Sequence, residues 1–337
     1  MSETFSQDDL VTLVQQAFVA CNTSEHNAWS VAEALVQAEV DGQKGHGLSR
    51  IASYSKQAIA GKVDGHAQPS INERRNGALL IDANNGFAYP AFQAAIDTLP
   101  QRAGDNGIAA AAITRSHHCG VLGWHAERLA GSGMVALMFA NTPEAMAPWG
   151  GSKRLFGTNP IAFAAPRRDA DPVVVDLALS RVARGKILSA AQKGEEIPQD
   201  WATDASGRPT TDAAEALKGT LLPIGDAKGA ALAFLVETLA VTLTGAHFAF
   251  EASSFFDDQG GPPNVGQFII AIDPGGFAGT TTYFDRFADL AAEFDADPGA
   301  RLPGSRRQAL REAAARDGIH VDEAMVQSIR ALIDGGQ

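Results

Sequence analysis

The sequence predicts an α/β protein, on three observations. Apolar residues recur at helical spacing through the N-terminal segments, short apolar runs suited to buried strands alternate with helical stretches in the middle, and helical periodicity returns at the C-terminal end. With 337 residues, 45% hydrophobic and 20% charged, the chain can bury a large core and divide into about two domains.

The first helix is marked by Leu10, Leu13, Val14, Ala17 and Phe18. The second, capped by Thr23 or Ser24, carries Ala28, Val31, Ala32, Ala34, Leu35 and Ala38 and stops before a turn from Gly42 to Gly47. Leu48 to Ala60 reads as a third helix, and Gly61 to Gly65 breaks the pattern, with a boundary near residue 75. Strands are expected at Ala78 to Asp82, Ile108 to Ile113, Met134 to Ala140, Ile161 to Ala165, Val173 to Leu177 and Gln267 to Ile272. Helices are expected at Phe92 to Leu99, Val121 to Ala130 and Gly229 to Leu243, the last with Leu232, Leu235, Val236, Leu239 and Leu243 on one face. The segment from Lys193 to Ala214 reads as a polar surface loop. Phe284 to Glu293, Arg306 to Ala315 and Val321 to Ile333 close the chain as helices.

Composition narrows the function. A net charge of -12, from 27 basic and 39 acidic residues with no basic cluster, argues against nucleic acid or an anionic membrane as partner, so an anionic ligand needs local cations. The acidic start at Met1 to Asp9 does not read as a secretory signal, and no apolar run approaches the roughly 20 residues of a membrane span; the expected location is cytoplasmic. Cys21 and Cys119 are too few for a disulfide framework or a cysteine zinc site.

Several polar motifs stand out. In Asp41-Gly42-Gln43-Lys44-Gly45-His46-Gly47-Leu48-Ser49-Arg50, the spacing would put an imidazole and a guanidinium on one side of a helical turn, a proton-transfer group beside an acid-binding fork; the bland reading is a turn with a solvated histidine. Arg115-Ser116-His117-His118-Cys119-Gly120 joins a strand end to the start of a helix, whose free N–H groups and positive dipole end suit a pyrophosphate. Metal is disfavoured, because adjacent histidines point apart in regular structure and no carboxylate joins them at ligand spacing. No Gly-x-Gly-x-x-Gly follows a strand and opens a helix, so a Rossmann site is not supported. Phe156-Gly157-Thr158-Asn159-Pro160 offers a hydroxyl and an amide, or is an Asx-type turn. Asp176 lies near a strand end, followed by the cations of Arg184-Gly185-Lys186. Gly225-Asp226-Ala227-Lys228-Gly229 and Arg301-Leu302-Pro303-Gly304-Ser305-Arg306-Arg307 are glycine turns at helix starts, each either a phosphate corner or only a cap.

Taken in order, Gly45-His46-Gly47 with Arg50, Asp82-Ala83-Asn84-Asn85-Gly86-Phe87, Ser116-His117-His118, Phe156 to Pro160, Ala183 to Lys186, Lys228-Gly229 and Arg301 to Gly304 make nearly the whole chain resemble the malate/L-lactate dehydrogenase-like oxidoreductases. That family includes sulfolactate, ureidoglycolate, diketogulonate and cyclic-imine reducing members. The resemblance implies a non-Rossmann, sulfolactate-dehydrogenase-like α/β fold with a large mixed sheet. It implies a helical domain built from residues 1–75 and 300–337, a cofactor- and substrate-binding domain over 76–299, and a homodimer. It implies NADP or NAD as cofactor and a small anionic substrate, with hydride transfer at C2 of a 2-oxo/2-hydroxy acid. His46 then matches the proton donor, and Lys186 is a second catalytic candidate. Arg50, Thr158 and Arg184 are substrate-binding candidates. His118, Cys119, Gly120, Val121, Leu122, Asp176, Leu177, Ala178, Lys228, Arg301 and Arg306 are cofactor-binding candidates.

The chain departs from the family pattern in three places. Gly45 stands where many members have a serine that orients the histidine, Arg184-Gly185-Lys186 stands where cyclic-imine reductases have His-Gly-Asp, and Ala227 stands where some members have histidine. The basic triplet favours a keto acid over an imine, and Ala227 leaves NAD against NADP open. A ketimine reductase acting on a cyclic imino acid such as pyrroline-2-carboxylate is the alternative expectation, and a non-catalytic small-molecule binding module a further one.

Overall fold

The computed structural model describes residues 2–335. The chain begins with strand β1 (Ser2–Phe5), followed by helices α1 (Gln7–Ala20), α2 (Glu25–Val40) and α3 (Ile51–Ile59). Ser6 and Ser24 cap α1 and α2 by accepting from the N–H groups of Asp9 and Asn27. Strands β2 (Ser70–Arg75) and β3 (Ala78–Asp82) come next, then helix α4 (Ala88–Asn106), β4 (Ile108–Ser116), α5 (Leu122–Gly131), β5 (Val135–Ala140), β6 (Ile161–Arg167) and β7 (Ala170–Leu177). Helices α6 (Arg184–Lys193), α7 (Ala213–Lys218) and α8 (Ala227–Glu237) precede β8 (Val265–Ile272). The chain then runs through α9 (Thr280–Ala296), α10 (Ser305–Asp317), β9 (Ile319–Asp322) and α11 (Glu323–Gly335).

One seven-stranded mixed sheet, in the order β2-β3-β4-β8-β5-β6-β7, forms the centre. Its neighbouring strands are antiparallel except β3 and β4, which α4 joins by a crossover, the kind of connection a parallel pair requires. Ile81, Phe92, Leu99, Ile113, Leu122, Leu129 and Met138 fill the core between this sheet and helices α4 and α5. A second core gathers Phe139, Met146, Phe156, Leu179, Ile187 and Val236. The third is helical: Leu10, Val14, Phe18, Leu35, Tyr54, Val326 and Ile329 pack with Phe87 and Tyr89 from the start of α4. No helix among the described residues is long and apolar enough to cross a membrane.

Besides β2, α6 and α7, which the sequence reading did not mark, four elements differ from the sequence expectation. The chain ends meet in a two-stranded antiparallel sheet, β1 with β9, so the last helix starts at Glu323 and not at Val321. The alternation of buried Ile319 and Val321 with exposed His320 and Asp322 is a period of two, the mark of a strand. Helix α4 runs through Pro100 to Asn106, because Leu99 and Ala103 pack the same core on both sides of the proline. The segment from Lys193 to Ala214 is not wholly surface, since Ile197 and Ala202 are buried anchors.

The fourth difference concerns α8, which turns its small side chains inward. Ala230, Ala233 and Val236 are buried, whereas Phe234 is 65% exposed and Leu232, Leu235 and Leu243 are also exposed. Close approach sets this choice: a Cβ at Gly229 would collide with the carbonyl of Ile224. A leucine stripe on that side could not fit.

Candidate active site

His46 sits where α2 hands over to α3. The join is two short 3₁₀ turns, Lys44–His46 and Leu48–Arg50, broken at Gly47, so the expected single helical turn does not form. A Cβ at Gly47 would lie 2.5 Å from the Glu39 carboxylate and 3.1 Å from the Glu39 backbone nitrogen, which reserves the position for glycine. Arg50 nevertheless turns back toward the histidine, its Nε donating to the carbonyl of Gly45 at 2.7 Å. The start of this join is braced from the other end of the chain. Arg311 on α10 pairs through both guanidinium edges with buried Asp41 and with Glu127 on α5, contacts of 2.6 to 2.8 Å.

The His46 ring stacks on His118, with centroids 5.2 Å apart and planes 18° from parallel. His118 Nδ1 is hydrogen-bonded to the Tyr54 hydroxyl on α3. His117 packs beside it, and both rings touch Tyr54 and Phe255, so the two histidines converge on one aromatic cage where regular structure would have sent them apart. Gln57 fixes the His117 tautomer. Its amide nitrogen donates to the carbonyl of Phe255, so its oxygen accepts at 2.9 Å, and His117 Nε2 must carry the proton.

Burial and neighbouring cations make these imidazoles weak bases. Desolvation, with a contribution from the Arg50 charge, lowers His46 to about 4. Desolvation, Lys62 and Arg50 lower His117 to about 3, and desolvation first, then Arg50, hold His118 well below its ordinary value. Burial pushes Tyr54 up to about 12 and Cys119 up to about 12, so neither a phenolate nor a thiolate is at hand near neutral pH. His46 Nδ1 is buried without a hydrogen-bond partner, and Gly45 leaves open space beside it. Among the described residues no group of three or more His, Cys, Asp or Glu is placed to hold a metal.

His118, Cys119, Gly120 and Val121 lead from β4 into α5, which begins at Leu122, and Asp176 comes to meet them from the end of β7. Its carboxylate accepts from the Gly123 N–H at 3.0 Å, so part of the helix start is already capped. Burial raises the Asp176 pKa against the opposing pull of that N–H and of Arg307. Arg307, with a buried Nη1 that has no partner, lines a cavity of about 290 Å³ together with Arg301, Pro303, Gly304, Ser305 and Val174. Arg306, the expected contact, is exposed outside that lining, because the turn at Gly304 points Arg307 inward. Leu177 is exposed, Ala178 is half-buried, and Lys228 is exposed on the first turn of α8.

Thr158, Arg184 and Lys186 belong to a different neighbourhood. The N–H of Thr158 donates to Thr142 Oγ1 at 2.9 Å, and Arg184 Nη1 donates to the carbonyl of Glu144 at 3.0 Å. Burial, then nearby Arg154, lowers the Arg184 pKa, while Lys186 is exposed on the first turn of α6. No hydrogen bond among the described residues joins these three to His46 or Arg50. Asn159 has a structural part, its amide reaching the Ala233 carbonyl and Glu237.

The structure thus unites His46, Arg50 and His118, and it adds Tyr54, Gln57, Lys62, Phe255 and Phe256, which sequence reasoning missed. Tyr54 and Gln57 look like ordinary core positions of α3, and the two phenylalanines lie in a stretch without a motif. A lysine directly after the helix-ending Gly61 was the one available signal.

A family model described as malate/L-lactate dehydrogenase matches residues 5–330. A (2R)-3-sulfolactate dehydrogenase (NADP(+)) from Chromohalobacter salexigens is 46% identical over 331 residues, 98% of each chain. Among solved structures, a Δ1-piperideine-2-carboxylate reductase from Pseudomonas syringae pvar. tomato superposes with a TM-score of 0.93 at 37% identity, covering 98% of this chain and 99% of that one. A sulfolactate dehydrogenase from Methanocaldococcus jannaschii superposes with a TM-score of 0.90 at 26% identity over 99% and 97%.

Proposed function

The chain belongs to the malate/L-lactate dehydrogenase family, and from that premise we propose that it moves a hydride between NAD(P)H and C2 of a small 2-oxo/2-hydroxy acid of sulfolactate or malate type. One observation carries the reading: a half-buried imidazole stacked on a second, buried one, with a guanidinium folded back to the same turn.

The residues suit a nicotinamide dinucleotide. The orphaned Arg307 Nη1 in a cavity bordered by Arg301 and Ser305 fits an anionic group, and the strand end at His118 to Leu122 beside Asp176 to Ala178 fits the rest of a dinucleotide, with Lys228 a further cation. When bound, the nicotinamide supplies or accepts the hydride at C2. Arg50 holds the substrate's acid group through its planar fork, and Thr158, Arg184 and Lys186, which no hydrogen bond joins to it, are the candidates to attract the remainder. His46 gives or takes the proton on the C2 oxygen. Burial first and the Arg50 charge second keep His46 neutral, so an acid bound at Arg50 offsets the smaller of the two effects and moves the His46 pKa upward.

The division into residues 1–75 with 300–337 and residues 76–299 is part of the same proposal, as is a homodimer, supported by the exposed Leu232, Phe234 and Leu235 on α8. The second reading, a cyclic ketimine reductase, is supported by the likeness to the piperideine-2-carboxylate reductase. It needs the same Arg50 and His46 but a different proton relay, and Lys186 disfavours it. Nicotinamide absorbance followed with sulfopyruvate, oxaloacetate, pyruvate and pyrroline-2-carboxylate, each with NADH and NADPH, tests both. Turnover is expected with the keto acids; turnover with the imine alone would replace the first reading by the second, and ligand binding without any turnover would leave a binding module.

A further inference from the structure

Lys62 is 1% exposed at its side chain, and its ammonium donates to the carbonyls of Ser254 at 2.7 Å, Asp257 at 3.0 Å and Gln259 at 2.7 Å, with the Asp257 carboxylate at 3.4 Å. A buried charge is retained only when its donors are filled, and here four oxygens of one loop fill them. Ser253 Oγ closes that loop by donating to the Gly261 carbonyl at 2.7 Å, and Gln57 ties the Phe255 carbonyl to His117. The loop carries two aromatic rings to the site. Phe255 lies against both His117 and His118, and the ring of Phe256, 45% exposed, lies 4.7 Å from the Arg50 guanidinium carbon.

We infer that Lys62 is a positioning residue that latches the loop from Ser253 to Gly261 over the imidazole pair, and that Phe256 sets the acid-binding geometry of Arg50. The inference rests on the proposed acid-binding role of Arg50. The Phe256 ring covers the guanidinium from one side, 4.7 Å from its carbon, and leaves the rest of the group open to a planar acid group. The exposed part of the ring is then an apolar wall against the substrate body.

The test uses the full chain and the variants Phe256→Ala, Lys62→Met and Lys62→Arg. Phe256→Ala is expected to raise KM for the keto acid about 2- to 30-fold, the range of a desolvated cation–π contact, while kcat and the KM for NADPH change little. Lys62→Met is expected to raise the same KM and to speed amide hydrogen exchange across residues 253–261, and Lys62→Arg to restore both in part. A wild-type keto-acid KM in Phe256→Ala would overturn the role of the ring. Unchanged exchange in Lys62→Met would overturn the latch whatever the protein turns over, because exchange needs no substrate. Absence of turnover by the wild-type protein would instead remove the hydride-transfer reading.

Discussion

The two cationic regions proposed to meet a substrate are built in opposite ways. Around His46 and Arg50, the His117 and His118 imidazoles, Tyr54, Gln57 and Lys62 are buried and held by rings and hydrogen bonds from elements far apart in sequence. Around Arg184 and Lys186, one cation leans on a backbone carbonyl and the other stands in solvent at the start of a helix. A proton-transfer group must be placed within a few tenths of an ångström and kept dry, whereas a cation that attracts an acid can act from a mobile side chain. The contrast is the reason proton transfer is proposed for the first region and only charge recognition for the second.

Removing the imidazole should strike hardest. His46→Ala is expected to lower kcat by about 10²- to 10⁴-fold with cofactor affinity near normal, measured by steady-state turnover and cofactor titration. Arg50→Met should raise the KM for the acid by roughly 10- to 100-fold, the worth of a charged hydrogen bond, and should lift the His46 pKa, which NMR titration of the imidazole would read. His117 lies at about 3 and His46 at about 4, and His125, buried on α5 against Phe92, also at about 3, all below the unfolded histidine value, so the unfolded chain takes up protons first. Stability is therefore complete above about pH 6.5 and falls by about 1.4 kcal/mol per pH unit for each such histidine below it; thermal unfolding between pH 7 and pH 5 checks this. The smallest effect belongs to the exposed region, where Lys186→Met should change KM by no more than about 5-fold. A loss as deep as that of His46→Ala would erase the contrast and make Lys186 a catalytic residue.

Much of the fold was legible because its elements have clean periods: the apolar runs became β4 to β8, and Ser24 capped α2 as its type suggests. The failures came where two demands compete. On α8 the leucine face looks like a core stripe, yet the approach of Ile224 and Asn159 admits only Gly229 and Ala233, so the larger residues are turned out. At Ile319 to Asp322 the strand was missed, Val321 and Asp322 being read as the start of the last helix, although the alternation of the four residues was visible. In the site, His46, Arg50 and His118 could be found because glycines and paired polar residues mark them. Tyr54, Lys62 and Phe255 could not, since a buried tyrosine in a helix and a phenylalanine in a loop carry no local sign of the partner that they meet across the fold. Gly45 remains instructive. Where the family resemblance implies a serine, the space is open, and His46 stacks on His118, whose Nδ1 is bonded to the Tyr54 hydroxyl.

The most direct measurement follows the hydride itself. Sulfopyruvate is incubated with NADPH deuterated at C4, in each stereochemical form, and the reduced acid is examined by mass spectrometry. The account predicts that one of the two forms delivers its deuterium to C2 of the product. Reduced acid without deuterium from either form, or deuterated nicotinamide left unconsumed beside every keto acid, would contradict it.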